Sequence, residues 1–175
     1  MPLPAMTHDA LDTPPPPATD AETRGTDDHH ESLRLWLRLL TCTQLVEREI
    51  RARLRERFSI TLARFDLLAQ LERHPQGLRM GELSRRMMVT GGNVTGLTSE
   101  LVAEGLVARM PAPEDRRAFA VRLTPKGKAA FDAMANEHEH WVIGMLADVA
   151  APDRANLYQM LGTLKRSVSR MQETR

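Results

Sequence analysis

Residues 81–124 restrict what this chain can fold into more than any other stretch. Leu83 and Met87 share one face of a short segment that runs into Met88-Val-Thr-Gly-Gly-Asn-Val-Thr-Gly-Leu-Thr98. Val94, Leu97, Leu101 and Val102 then recur at helical spacing behind Thr90, a residue type that caps helix N-termini. The pattern predicts helix, tight turn, helix, closing at Glu104-Gly105, where glycine suits the position just past a helix end. Residues 106–110 and 118–123 predict two strands, with Pro-Ala-Pro-Glu-Asp-Arg-Arg, residues 111–117, as the hairpin tip. Thr124-Pro125 places a cap and an N1 proline at the start of another helix. A helix-turn-helix pair is common among small helical domains, and the hairpin behind it narrows the choice.

The flanks read as support and as pairing arms. Residues 1–28 are rich in Pro, Asp and Thr and hold few large apolar residues, so they are expected to be a disordered tail. A long helix is predicted from about His30 to Arg57, with Leu35, Leu39, Cys42, Val46, Ile50, Leu54 and Phe58 on one stripe. Leu33, Trp36, Leu37 and Leu40 make a second stripe, so its N-terminal half needs more than one neighbour, and a partner subunit is the simplest supplier. Glu47 and Arg51 mark a solvated face in the other half. A helix capped by Thr61 is expected to run to about Arg73, and residues 78–80 to form a short strand. After Pro125 a helix is expected to reach about Val149, with Phe131, Met134, His138, Trp141 and Met145 on one face. The last helix, from Pro152, carries Leu157, Met160, Leu161, Leu164, Val168 and Met171 on one side, with too little chain left to cover them. The expected fold is mainly α with a small β-hairpin.

Charge is uneven along the chain. Residues 1–31 hold one Arg against seven Asp and Glu, a net −6, so the formal +1 of the whole chain hides a body of +7. That balance suits a polyanionic partner. A single cysteine, Cys42, excludes an intrachain disulfide and fits a reducing compartment. No apolar run approaches the ~20 residues of a membrane span, and the N-terminus lacks the order of a signal peptide, which together predict a cytoplasmic protein without membrane contact. No Ser/His/Asp, Cys/His or phosphate-loop arrangement is present, so no catalytic residue, cofactor or enzyme activity is expected. His29-His30-Glu31 and Glu137-His-Glu-His140 are the only metal-like clusters, and both are read as solvated surface because i,i+2 side chains on a helix do not face each other.

Asp115-Arg-Arg117 followed by Val121-Arg-Leu-Thr-Pro-Lys-Gly127 resembles the wing and following helix start of the MarR family of winged helix-turn-helix regulators. Asn93-Val-Thr95 and Glu104-Gly-Leu-Val107 resemble that family's recognition helix and its exit, and the resemblance covers about residues 31–173. It implies a homodimer built from N- and C-terminal helices, two winged lobes on a pseudopalindromic double-stranded DNA operator, and repression relieved by a small ligand. The chain divides accordingly into a tail (1–28), an N-terminal dimerisation helix (29–58), a winged helix-turn-helix DNA-binding lobe (59–124) and C-terminal dimerisation helices (125–175).

In such a lobe the second helix enters the major groove and the wing reaches adjacent backbone or minor groove. Thr90, Gly92, Asn93, Thr95 and Ser99 are the expected contacts from the helix: Asn93 suits adenine, and Thr95 a thymine methyl or a phosphate. No Lys or Arg lies between Met87 and Ala108, and Gly96 stands where the family often carries Arg. Phosphate contacts therefore fall to Arg79, Arg85 and Arg86 before the helix and to Arg109, Arg116 and Arg117 after it. By resemblance, Asp115 pairs with Arg117 to hold the wing. Residues 35–43, residues 61–66 and the Gly-Gly-Asn-Val-Thr-Gly helix are similar to the branch of the family that responds to aromatic acids. A flat aromatic carboxylate needs apolar walls and a cation, and Trp36, Phe65, Arg38 and Arg64 supply those types. Two alternatives stay open: redox sensing through Cys42, and a winged-helix module that binds protein in place of DNA.

Overall fold

The structure, a computed structural model, describes residues 30–112 and 115–173, with the side chains of 112–118 outside the description. The expected tail, residues 1–28, also lies outside it. Six helices and three strands follow in order: α1 (Glu31–Phe58), α2 (Leu62–Glu72), β1 (Leu78–Arg79), α3 (Met80–Met87), α4 (Gly91–Ala103), β2 (Val107–Ala112), β3 (Asp115–Leu123), α5 (Pro125–Met145) and α6 (Ala151–Glu173). This is the expected mainly helical fold with a small antiparallel sheet, in the order β1-β3-β2. Leu78 pairs with Val121, and Val107 with Leu123.

The chain divides into two compact units, Met1–Leu45 and Val46–Arg175. In the first, the N-terminal half of α1 leaves Leu33, Leu35, Trp36, Leu40 and Cys42 exposed. Among the described residues, Leu37 and Leu39 of these stripes are only partly covered, and the Cys42 thiol is exposed. In the second unit, Ile50 and Leu54 of α1 join a core with Leu67, Leu68, Leu71, Leu83, Val94, Leu101 and Val121. Burying a side chain of this size contributes roughly 1.5–3 kcal/mol, which explains why the short helices α2 to α4 hold together around one centre. Along α6, no residue is buried, and Leu157, Met160, Leu161, Leu164, Val168 and Met171 are all exposed as the shortage of chain predicted.

Three expectations need correction. The hairpin is longer than its sequence pattern: β2 continues to Ala112 and β3 begins at Asp115, so Asp115, Arg116 and Arg117 lie on a strand and not in the tip. Strand pairing overrides local preference there, with Pro111 on the partner strand opposite Phe119. Helix α5 stops at Met145, four residues early, because Leu146 leaves helical geometry at φ −101° and ψ 7°. His138, read as solvated surface, is half-buried and tilts against Phe65 with ring centroids 5.1 Å apart.

Candidate nucleic-acid interface

Helix α4 is the centre of the site, and its two ends are built differently. Its entry follows Met88, which sits in left-handed backbone geometry at φ 54° and is 93% exposed. Ser84 Oγ donates to Val89 O at 2.5 Å, tying the turn back to α3. Thr90 occupies the N-cap position, but its hydroxyl makes no capping hydrogen bond. A Cβ added at Gly91, Gly92 or Gly96 would meet nothing within 4 Å. The protein itself therefore has no steric need for glycine at these positions, although each glycine costs about 1 kcal/mol of helix stability against alanine.

The outward face of α4 matches the sequence expectation. Gly92, Asn93, Thr95, Gly96 and Ser99 are exposed, whereas Val94 and Leu101 are fully buried. Thr98 is buried as well, a position the apolar pattern passed over. Its hydroxyl lies 3.9 Å from the sulfur of Met80, a soft partner that makes a short polar side chain tolerable in the core. Thr95 Oγ1 donates to Gly91 O at 2.9 Å and Ser99 Oγ donates to Thr95 O at 2.9 Å. Both hydroxyls spend their proton on the helix, so outward they offer only an acceptor and, for Thr95, a methyl group.

The arginines around the helix are individually placed. Arg109, on β2, donates from Nη2 to Ser99 Oγ at 2.8 Å, which lays a guanidinium on the outward face of a helix that has no cation of its own. Arg86 donates from Nε and Nη2 to Glu82 Oε1 at 3.1 and 2.8 Å, and this hydrogen bonding holds the Glu82 carboxyl below its usual range. Arg85 donates to Gly81 O at 3.4 Å, and Arg79 is exposed on β1. Arg116, Arg117 and Asp115 are placed by the β3 backbone alone, so the expected Asp115–Arg117 pair lies outside the described side chains.

The exit of α4 is lashed down. Glu104 is its C-cap, Gly105 follows at φ +71°, and the chain turns into β2. Thr124 caps α5 by accepting from Gly127 N at 2.9 Å, while its hydroxyl points its proton at Gly105 O (2.7 Å) and Leu106 O (3.2 Å). Lys126 Nζ donates to Glu104 O at 2.8 Å. Gly127 lies so close that a Cβ there would sit 1.8 Å from Leu106 O. The Leu-Thr-x-x-Gly sequence has a physical reason: one threonine serves two chain segments, and only glycine lets them touch. Arg64, on α2, completes the clamp through an ion pair with the Glu104 carboxylate.

The residues expected to hold an effector fall two in each unit. Trp36 and Arg38 lie in the first unit, with Trp36 exposed. In the second unit Phe65 is core, stacked on Phe131 with centroids 5.6 Å apart, and Arg64 is mostly covered. Among the described residues no group of His, Cys, Asp and Glu is arranged to hold a metal ion, and no helix is long and apolar enough to cross a membrane.

Comparison with known proteins agrees with this geometry. A family model described as MarR family matches residues 58–118. A solved MarR family transcriptional regulator from Silicibacter pomeroyi is 31% identical, with a TM-score of 0.69 over 82% of this chain and 99% of that one. The transcriptional activatory protein BadR of Rhodopseudomonas palustris is 31% identical over 104 residues, 58% of this chain and 59% of BadR. An E. coli MarR variant solved with operator DNA shares the fold at 24% identity and a TM-score of 0.68, over 79% of this chain and 99% of that one. With its sheet order, its recognition-type helix and a relative matched over nearly its whole length, the chain belongs to the MarR family of transcriptional regulators.

Proposed function

We propose that this protein is a homodimeric repressor that binds a pseudopalindromic DNA operator and leaves it when a small aromatic carboxylate binds. The observation that carries the DNA reading is the outward face of α4. It is glycine-rich where the protein needs no glycine, it presents Asn93 and the Thr95 methyl, and Arg109 is laid across it by Ser99. A helix N-terminus without side chains lets a phosphate approach its backbone N–H groups. Asn93 and Thr95 then discriminate bases, while Arg79, Arg85, Arg86, Arg109, Arg116 and Arg117 neutralise backbone. The dimer reading is supported by apolar side chains exposed among the described residues, on the N-terminal half of α1 and along α6. Repression is chosen over activation by resemblance alone, since the similar proteins include one named an activatory protein and one named a repressor.

The test is a titration of the full chain against a palindromic duplex at two salt concentrations. Affinity is expected to fall about tenfold or more as salt rises, because each neutralised phosphate releases counterions. Arg116→Ala is expected to weaken binding by about tenfold and to flatten the salt slope. Absent or salt-insensitive duplex binding would favour a protein-interaction module instead. The second trigger, thiol oxidation at Cys42, would be excluded by a Cys42→Ser protein that still leaves its operator under peroxide.

A further inference from the structure

We infer that Met88 reads the operator: its thioether packs on the 5-methyl group of a thymine beside the entry of α4, an inference that rests on the DNA-binding function proposed above. Met88 closes α3 with a crossed pair of hydrogen bonds, its own N–H donating to Arg85 O and the Val89 N–H to Ser84 O, each at 3.2 Å. A helix end of this kind needs left-handed backbone at one residue, and glycine ordinarily supplies it. Here that residue is a methionine, at φ 54° and ψ 37°. An L side chain crowds the following carbonyl in this geometry, so methionine costs more here than glycine would.

Packing among the described residues does not offset that cost. Met88 is 93% exposed, more than any other large hydrophobic residue among those described. The apolar seat of the turn is taken by Val89, which packs against the core, and Ser84 Oγ donates to Val89 O at 2.5 Å. The backbone of Met88 is thus held on both sides while its side chain stands free. A rigid mount under an exposed apolar group is the arrangement that a binding surface uses for an anchor.

Its place selects the partner. At most about 11 Å of chain separates Met88 from Gly91, the first residue of α4. Gly91 and Gly92 are exposed and carry no side chain, so a duplex close enough to meet that first turn comes within reach of the thioether. A thioether donates no hydrogen bond and carries no charge, so it serves neither phosphate neutralisation nor bidentate readout of a base edge. Thymine alone offers an apolar group in the major groove, its 5-methyl, and a flexible, polarisable methionine suits that contact. Asn93 and Thr95 thereby gain a third reader, one that works by shape and apolar contact.

The experiment uses the full chain and the duplex that it enriches most from a randomised pool, with deoxyuridine replacing thymidine at one position at a time to remove single methyl groups. Wild type is expected to lose about fourfold in affinity at one position of each half-site, the worth of one buried methyl group. Met88→Leu, which stays apolar, is expected to keep that discrimination. Met88→Gln, of similar length but polar, and Met88→Gly are expected to bind the thymine duplex about fourfold more weakly and to be indifferent to the missing methyl. Met88→Gly is also expected to hold or raise the unfolding midpoint, and all the proteins to sediment alike. Wild-type affinity in Met88→Gln or Met88→Gly, or equal weakening in Met88→Leu and Met88→Gln, overturns the inference. So does a weakened Met88→Gln protein that still senses the same methyl, because the loss then lies elsewhere. A lower midpoint in Met88→Gly or an altered oligomeric state overturns it too, since the side chain would then serve the protein itself. An enriched duplex in which no methyl deletion matters to wild type removes the thymine reader and leaves the DNA-binding function standing. No enriched duplex removes both.

Discussion

The two ends of α4 are made by opposite rules. At its entry the cap hydroxyl is unused, glycines stand in open space and an exposed methionine holds a left-handed turn. At its exit a side chain from α2, a lysine, a threonine and a glycine from the start of α5 all close on three residues. A helix that must meet an outside surface cannot be held by contacts on the face it offers. Its position is therefore set from the far end, and the near end is left small.

That contrast can be broken most forcefully at Gly127. Gly127→Ala puts a methyl group into the Leu106 carbonyl, where backbone and not a flexible side chain must move. Overpacking costs roughly 1–3 kcal/mol and occasionally more, and we expect a large drop in unfolding midpoint by chemical denaturation. A variant as stable as wild type would mean that the exit is not a rigid contact. The entry predicts the reverse. Gly92→Leu meets nothing in the protein, so thermal stability should hold or rise by up to about 1 kcal/mol, while operator affinity should be lost. Unchanged affinity would sink the idea that the glycines exist for close approach of DNA.

A smaller effect sits away from both ends. Burial on α2 and, next, the nearby Glu47 push the Asp66 carboxyl above its ordinary value of 3.8, with His138 and Arg73 pulling the other way. A raised folded-state value means that the folded chain favours the protonated acid. Its contribution is fully present below the unfolded value and is lost as pH rises through the folded one. Asp66→Asn is therefore expected to raise the unfolding midpoint slightly at pH 7. The gain should vanish when both proteins are compared below the ordinary aspartate range. An equal gain at both pH values would assign it to packing, not to charge.

Much of the scaffold was legible because one-dimensional spacing encodes one-sided burial. Leu83, Val94 and Leu101 announced their helices by periodicity, and Thr124-Pro125 announced the start of α5 by local chemistry. Thr98 was invisible to that reading because its burial depends on the sulfur of Met80, eighteen residues away. Strand ends were misplaced for a similar reason: Ala112 and Asp115 become strand only by pairing with each other. His138 looked like surface beside two glutamates until Phe65 arrived from α2.

What the amino-acid order determined alone is the sequence of elements, the outward row of α4 and the absence of any cation on that row. These depend on neighbours one to four residues away, and local geometry needs nothing more. Tertiary structure decided which distant groups complete that helix. Arg109 reaches it through Ser99, ten residues back along the chain, and Arg64 reaches its exit across forty residues. Pairings over such separations leave no periodic trace, because they are chosen by how the elements pack and not by the order in which they are written.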